Sequence, residues 1–119
     1  MKKGLRLRRR SDFQSAVKGR RFHSGQALVG FAVPTGQVDS RIGVTVSRAI
    51  KTSVERNRAR RRLREVARRV LLGGDSPLHP GGIRYDVVLI ARPAALEVSF
   101  ADLKAEASLA ALRLAKFKP

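Results

Sequence analysis

The chain has 119 residues, 43% of them apolar, and its 26 lysines and arginines against nine aspartates and glutamates give a formal charge of +17. That length suits one domain able to bury roughly two-thirds of its unfolded surface, and the apolar content argues against a disordered basic tail. Cysteine is absent, which excludes disulfides and thiolate metal sites, and no apolar run is long enough to span a bilayer.

Residues 1–10, Met-Lys-Lys-Gly-Leu-Arg-Leu-Arg-Arg-Arg, form a basic segment without the apolar stretch of a secretory signal, so the expected location is the cytoplasm. Ser11-Asp12-Phe13-Gln14 has capping-box spacing and predicts a short helix to about Val17, ended near Gly19. A weak strand is predicted around Arg21–Ser24. Gln26–Val33 and Arg41–Ser47 predict two more, with Pro34–Ser40 as a hairpin loop between them. Thr52-Ser53-Val54-Glu55 is a second capping box, opening a long helix that Gly73-Gly74 closes, and Leu72–Gly82 reads as a loop. Tyr85–Ala91 is nearly continuous in apolar residues, as a strand buried on both faces is. Ser99-Phe100-Ala101-Asp102 opens a last helix whose core stripe is Phe100, Leu103, Ala107, Ala110 and Leu114. The order α-β-β-β-α-β-α predicts a single α+β domain over residues 1–119, a small central sheet with helices packed on one face.

The long helix carries the function. Eight arginines lie between Arg56 and Arg69, and Ala59, Leu63, Val66 and Val70 recur among them at i, i+4, i+7 and i+11. Such a stripe docks on a core while the guanidinium groups project outward. Arginine is permanently charged, and its fork of donors matches a phosphate. Only Glu55 and Glu65 are placed to pair with these arginines along the helix. Residues 1–69 hold twenty basic and four acidic side chains, a net +16, whereas residues 70–119 hold six and five, a net +1. Charge that concentrated repels itself until a polyanion compensates it, so the expected partner is nucleic acid. A membrane surface fits poorly, because the stripe lacks Trp and Phe and the core needs it.

Catalytic chemistry finds no motif. His23 and His79 stand far apart and outside metal-ligand spacing, the carboxylates are scattered, and Glu55 and Asp102 already belong to caps. No catalytic residue is assigned, and metal ligands are unidentified. Phe13 reads equally as core or as a stacking platform for single-stranded RNA; Phe22 and Phe31 pose the same choice and read more as core.

Arg56-Asn57-Arg58, followed by Ala59-Arg60-Arg61-Arg62-Leu63-Arg64-Glu65, resembles the Arg-Asn-Arg motif of the bacterial ribonuclease P protein component family. Leu7-Arg8-Arg9-Arg10-Ser11-Asp12-Phe13, Arg41–Arg48 and Asp86–Arg92 are similar to its N-terminal, central-strand and late-strand segments, so the resemblance covers essentially the whole chain. It implies a non-catalytic protein component of an endoribonuclease, bound one per RNA to a large catalytic RNA. That RNA, with magnesium bound mainly through it, hydrolyses one phosphodiester bond to remove the 5′ leader of precursor tRNA. Arg56, Asn57, Arg58, Arg60, Arg61, Arg64 and Arg68 are then expected to dock the catalytic RNA. Phe13, Phe31, Arg48, Lys51 and Arg92 are expected to line a cleft between the first helix and the sheet that holds the single-stranded leader. The implied fold is like domain 2 of ribosomal protein S5, with a left-handed β-α-β crossover from Arg41–Ser47 through the arginine helix to Tyr85–Ala91, where general rules favour the right hand. Lys51 stands where many members have Gly, Val17 where the first helix is often aromatic, and Gly30 in a strand that often supplies an aromatic. The rival functions are a ribosomal or RNA-chaperone protein with no role in cleavage, and a nuclease that acts without an RNA.

Overall fold

A computed structural model describes residues 10–35, 41–70 and 84–116. The basic segment before Arg10, residues 36–40 of the expected hairpin loop, the Gly73-Gly74 helix stop and the loop at 72–82 with His79 lie outside the described residues. The elements in chain order are α1 (Arg10–Val17), β1 (Arg20–Ser24), β2 (Leu28–Thr35), β3 (Arg41–Val46), α2 (Ser53–Val70), β4 (Arg84–Ala91), a 3-10 turn (Pro93–Leu96) and α3 (Phe100–Ala115).

Two of the three expected capping boxes form. Thr52 Oγ1 accepts the Glu55 N–H at 3.2 Å and donates to the Glu55 carboxylate at 3.0 Å, satisfying an orphan donor at the start of α2. Ser99 Oγ accepts the Asp102 N–H at 3.0 Å and starts α3 in the same way. The Ser11 box is different: α1 begins at Arg10, so Ser11 lies inside the first turn rather than in front of it.

The strands assemble in the order β1-β2-β4-β3, with β4 antiparallel to β2 and parallel to β3. This corrects the expected hairpin, because β2 and β3 are not neighbours; β4 stands between them. Two properties of β4 explain its place. Its apolar run needs burial on both faces, which a central strand supplies. Its one acidic side chain, Asp86, receives Arg41 of β3 through a two-pronged contact, Nε to Oδ1 at 3.0 Å and Nη2 to Oδ2 at 2.7 Å, across the register pair Arg41–Asp86.

Alternation along β4 also corrects the placement of the helices. Tyr85, Val87, Leu89 and Ala91 join Leu28, Ala32, Ile42, Val44 and Val46 in the main core, closed by Leu63, Val66 and Ala67 of α2 and Leu103, Ala107 and Leu114 of α3. Val88 and Ile90 face the other way, where Ala16 and Phe13 of α1 meet them with Val33. The α+β class and the element order stand, but α1 covers the face opposite α2 and α3. Period-2 alternation requires a second cover wherever both sets of residues are apolar.

Strand β1 has adjacent buried residues, Phe22 and His23, because its register against β2 slips between Arg21 and His23. The bulge lays Phe22 over Gly30, where an added Cβ would come within 2.5 Å of the ring. It also turns His23 toward α3. Arg113 Nη1 donates to His23 Nδ1 at 3.0 Å, so the ring proton resides on Nε2, which reaches Glu106 Oε2 at 3.0 Å. Glu106 further accepts the Ala27 and Leu28 N–H groups at 3.0 Å, fastening the β1–β2 turn to α3.

Candidate nucleic-acid interface

Four Arg–Arg pairs sit four residues apart on α2: Arg56 with Arg60, Arg58 with Arg62, Arg60 with Arg64, and Arg64 with Arg68. At about 0.2–0.5 kcal/mol each, their repulsion costs the isolated helix roughly 1–2 kcal/mol. Burial of Leu63 alone, which is fully enclosed, offsets that by about 1.5–3 kcal/mol, and Ala59, Val66, Ala67 and Val70 are buried beside it. The core therefore holds in place a charged helix that would be marginal on its own.

The eight arginines divide into two groups. On the outward side, Asn57, Arg60, Arg61 and Arg64 converge with Val54 around an open groove of about 630 Å³. Arg60 Nη1 donates to Asn57 Oδ1 at 2.8 Å, which orients both side chains along the helix. Arg61 and the exposed Arg58 make no hydrogen bond or ion pair among the described residues. Val54, at 78% exposure, is an apolar rim on an otherwise cationic depression that carboxylates do not line. Guanidinium forks beside an amide offer the hydrogen-bond donors that phosphate oxygens accept.

The second group is committed to the protein. Arg56 is half-buried, and its Nη1 donates to the carbonyls of Ser47 at 3.1 Å and Ile50 at 2.9 Å. Arg62 donates to the carbonyls of Leu96, at 3.2 Å, and Val98, tying α2 to the segment that leads into α3. Arg68 and Arg69 both hold the Glu65 carboxylate, and Arg69 also lies over the Phe100 ring, 5.2 Å from its centroid. Hydrogen bonds from Arg68 first and then Arg69 pull the Glu65 pKa from 4.5 to about 2, and Arg68 is raised in return. A depressed carboxylate keeps its partners above its ordinary titration range and loses them only as pH falls through about 2, so this pairing persists at neutral pH. Of the seven positions expected to dock RNA, the structure brings Asn57, Arg60, Arg61 and Arg64 together and leaves Arg58 exposed beside them. It turns the Arg56 guanidinium inward and pairs Arg68 with Glu65. The sequence carried no mark for Val54 as a groove residue, since it precedes the arginines and breaks no pattern.

The expected leader residues fall elsewhere. Phe13 is half-buried in the α1 cluster, and Phe31, opposite Val88 in the register, points to that same face. Arg48 and Lys51 are exposed on the connection from β3 to α2, without a hydrogen bond or ion pair among the described residues. Arg92 follows β4 at the same end of the sheet. Its guanidinium donates to Gly25 O at 2.7 Å and Ser24 Oγ at 3.1 Å, so it supports the β1–β2 turn. No group of three His, Cys, Asp or Glu side chains able to hold a metal occurs among the described residues. Nor is any described helix long and apolar enough to cross a membrane.

The chain is similar to known proteins over most of its length. A ribonuclease P protein component of Ruegeria pomeroyi is 42% identical over 89 residues, which is 73% of this chain and 66%, just under two-thirds, of that relative. One from Symbiobacterium thermophilum is 37% identical over 109 residues, covering 87% of this chain and 85% of its own length. The solved RNase P protein from Thermotoga maritima superposes with a TM-score of 0.69 at 27% identity, over 96% of this chain and 98% of that one. The family model for ribonuclease P matches residues 1–115, a span that includes the arginine groove, the β4 insertion and the α1 face together. On that match and these relatives, the chain belongs to the ribonuclease P protein family.

Proposed function

We propose that this chain is the protein subunit of ribonuclease P, docking on the catalytic RNA through α2 and holding the single-stranded 5′ leader of precursor tRNA on the opposite side of the sheet. The convergence of Asn57, Arg60, Arg61 and Arg64 on one groove without a lining carboxylate carries the reading. Phosphate contacts of this kind position an RNA and make its binding salt-dependent. Docking by α2 leaves the α1 face, with Phe13 and Phe31, open to a second strand, so one protein bridges enzyme RNA and substrate. The RNA hydrolyses the phosphodiester bond; the chain supplies position and charge, one protein per RNA, in the cytoplasm. Magnesium enters with the RNA, whose phosphate oxygens are the hard ligands that ion prefers.

Replacing Arg60, Arg61 and Arg64 together with glutamine is the direct test. The expected result is weaker binding to ribonuclease P RNA and a salt dependence whose slope falls by about one for each phosphate the variant no longer neutralises. A folded triple variant with the parental affinity and slope refutes the docking face. Reconstitution with ribonuclease P RNA at low magnesium tests the activity itself: restored leader removal is expected, whereas a protein that only chaperones RNA leaves cleavage unchanged. In the same assay, Phe13→Ala is expected to weaken precursor carrying a leader and to spare mature tRNA; equal loss for both removes the stacking role.

A further inference from the structure

Arg56 lies in the motif that marks the docking helix, yet its guanidinium faces away from the groove. Its Nη1 reaches both ends of the Ser47–Ile50 turn, the Ser47 carbonyl at 3.1 Å and the Ile50 carbonyl at 2.9 Å. Within the turn, Ile50 N–H donates to Ser47 O at 3.1 Å and Ala49 N–H to Ser47 Oγ at 3.2 Å, and the Ile50 side chain is buried in the main core. Upstream, Ser47 N–H extends the parallel ladder to Ala91 O at 2.8 Å; downstream, Thr52 caps α2. Arg56 therefore joins the strand end to the helix from beneath, and the exposed side chains on that connection include Arg48 and Lys51.

We infer that Arg56 is a positioning residue for the leader surface: it fixes the Ser47–Ile50 turn so that Arg48 and Lys51 present their charges to the substrate strand, and it does not contact the catalytic RNA. The inference rests on the proposed leader role of those two cations. Charge and hydrogen bonding act at different places here. A donor satisfies two neutral carbonyls inside the protein, and the ordered turn then spares two long side chains part of their freedom of placement when a phosphate arrives.

A double-mutant cycle in the reconstituted enzyme separates the possibilities. Affinities are measured for precursor with a leader, for leaderless tRNA, and for protein docking on the catalytic RNA. Arg56→Ala is expected to weaken leader-bearing precursor about 5-fold or more, to leave leaderless tRNA and docking unchanged, and to add nothing in an Arg48→Ala/Lys51→Ala background. General destabilisation would instead lower all three affinities, so the split reports positioning. Additive losses, or weaker catalytic-RNA docking with a salt slope reduced by about one, overturn the inference and make Arg56 a direct phosphate ligand. Should the Arg48→Ala/Lys51→Ala protein itself bind leader-bearing precursor normally, the leader role of those cations falls, and the inference with it. The same cycle on Arg56→Gln, which keeps an N–H donor without charge, covers the case in which Arg56→Ala does not fold.

Discussion

Gly30 and Phe22 divide one volume between two strands. The ring from the β1 bulge fills the space that a side chain on β2 would occupy, so a strand poor in bulk at position 30 still has a packed core above it. Gly30→Ala pushes a methyl group to within 2.5 Å of a buried ring, and a destabilisation of about 1–3 kcal/mol is expected in urea unfolding. Adding Phe22→Leu should recover part of that loss; a neutral Gly30→Ala would show that the ring moves freely. His23 is the residue most opaque to sequence. Its partners, Glu106 and Arg113, lie 83 and 90 positions away, and a histidine in a polar strand gives no sign of being buried.

Helix α2 separates what was legible from what was not. The outward face of α2 could be read from spacing, because positions three and four apart share a helix face and the apolar stripe fixes which face is hidden; the grouping of Val54 with Asn57, Arg60, Arg61 and Arg64 could not. Nor could the inward duties of Arg56 and Arg62, since their acceptors are main-chain carbonyls that every residue carries alike. Arg61 and Arg62 are thus adjacent in sequence, one lining the groove and the other tied to main-chain carbonyls. Arg62→Ala removes two hydrogen bonds from a charged donor to the α3 junction and is expected to lower stability by about 1–3 kcal/mol while RNA docking persists in the folded protein. Arg61→Ala is expected to do the reverse, with an unfolding midpoint unchanged and a weaker, less salt-sensitive complex. Identical behaviour of the two variants in denaturant melts and filter binding would remove this division of labour. Strand β4 was legible as doubly buried from its apolar run; its neighbours were not, because the Arg41–Asp86 pairing that helps set its register spans 45 positions.

At the scale of the molecule, net charge sets two opposite responses to salt. The free chain carries +17, most of it in residues 1–69, so its folded state repels itself and gains from screening. Raising ionic strength from about 0.01 M to about 0.15 M shortens the screening length from about 30 Å to about 8 Å. The thermal midpoint of the free protein is expected to rise by several degrees over that range while its affinity for RNA falls. Calorimetry that finds a flat or falling midpoint would contradict self-repulsion as a cost of the free state.

The position of β4 has a consequence for how the chain is made. Strands β2 and β3 leave the ribosome well before the strand that must separate them, and each waits with an unmatched edge. During that interval the two can zip together directly, the very pairing that local pattern favours, and the mature sheet then requires it to open. Emergence of Arg84–Ala91 from the ribosome thus completes the sheet, and a nascent polypeptide stalled short of it is the form most exposed to adhesion with its neighbours.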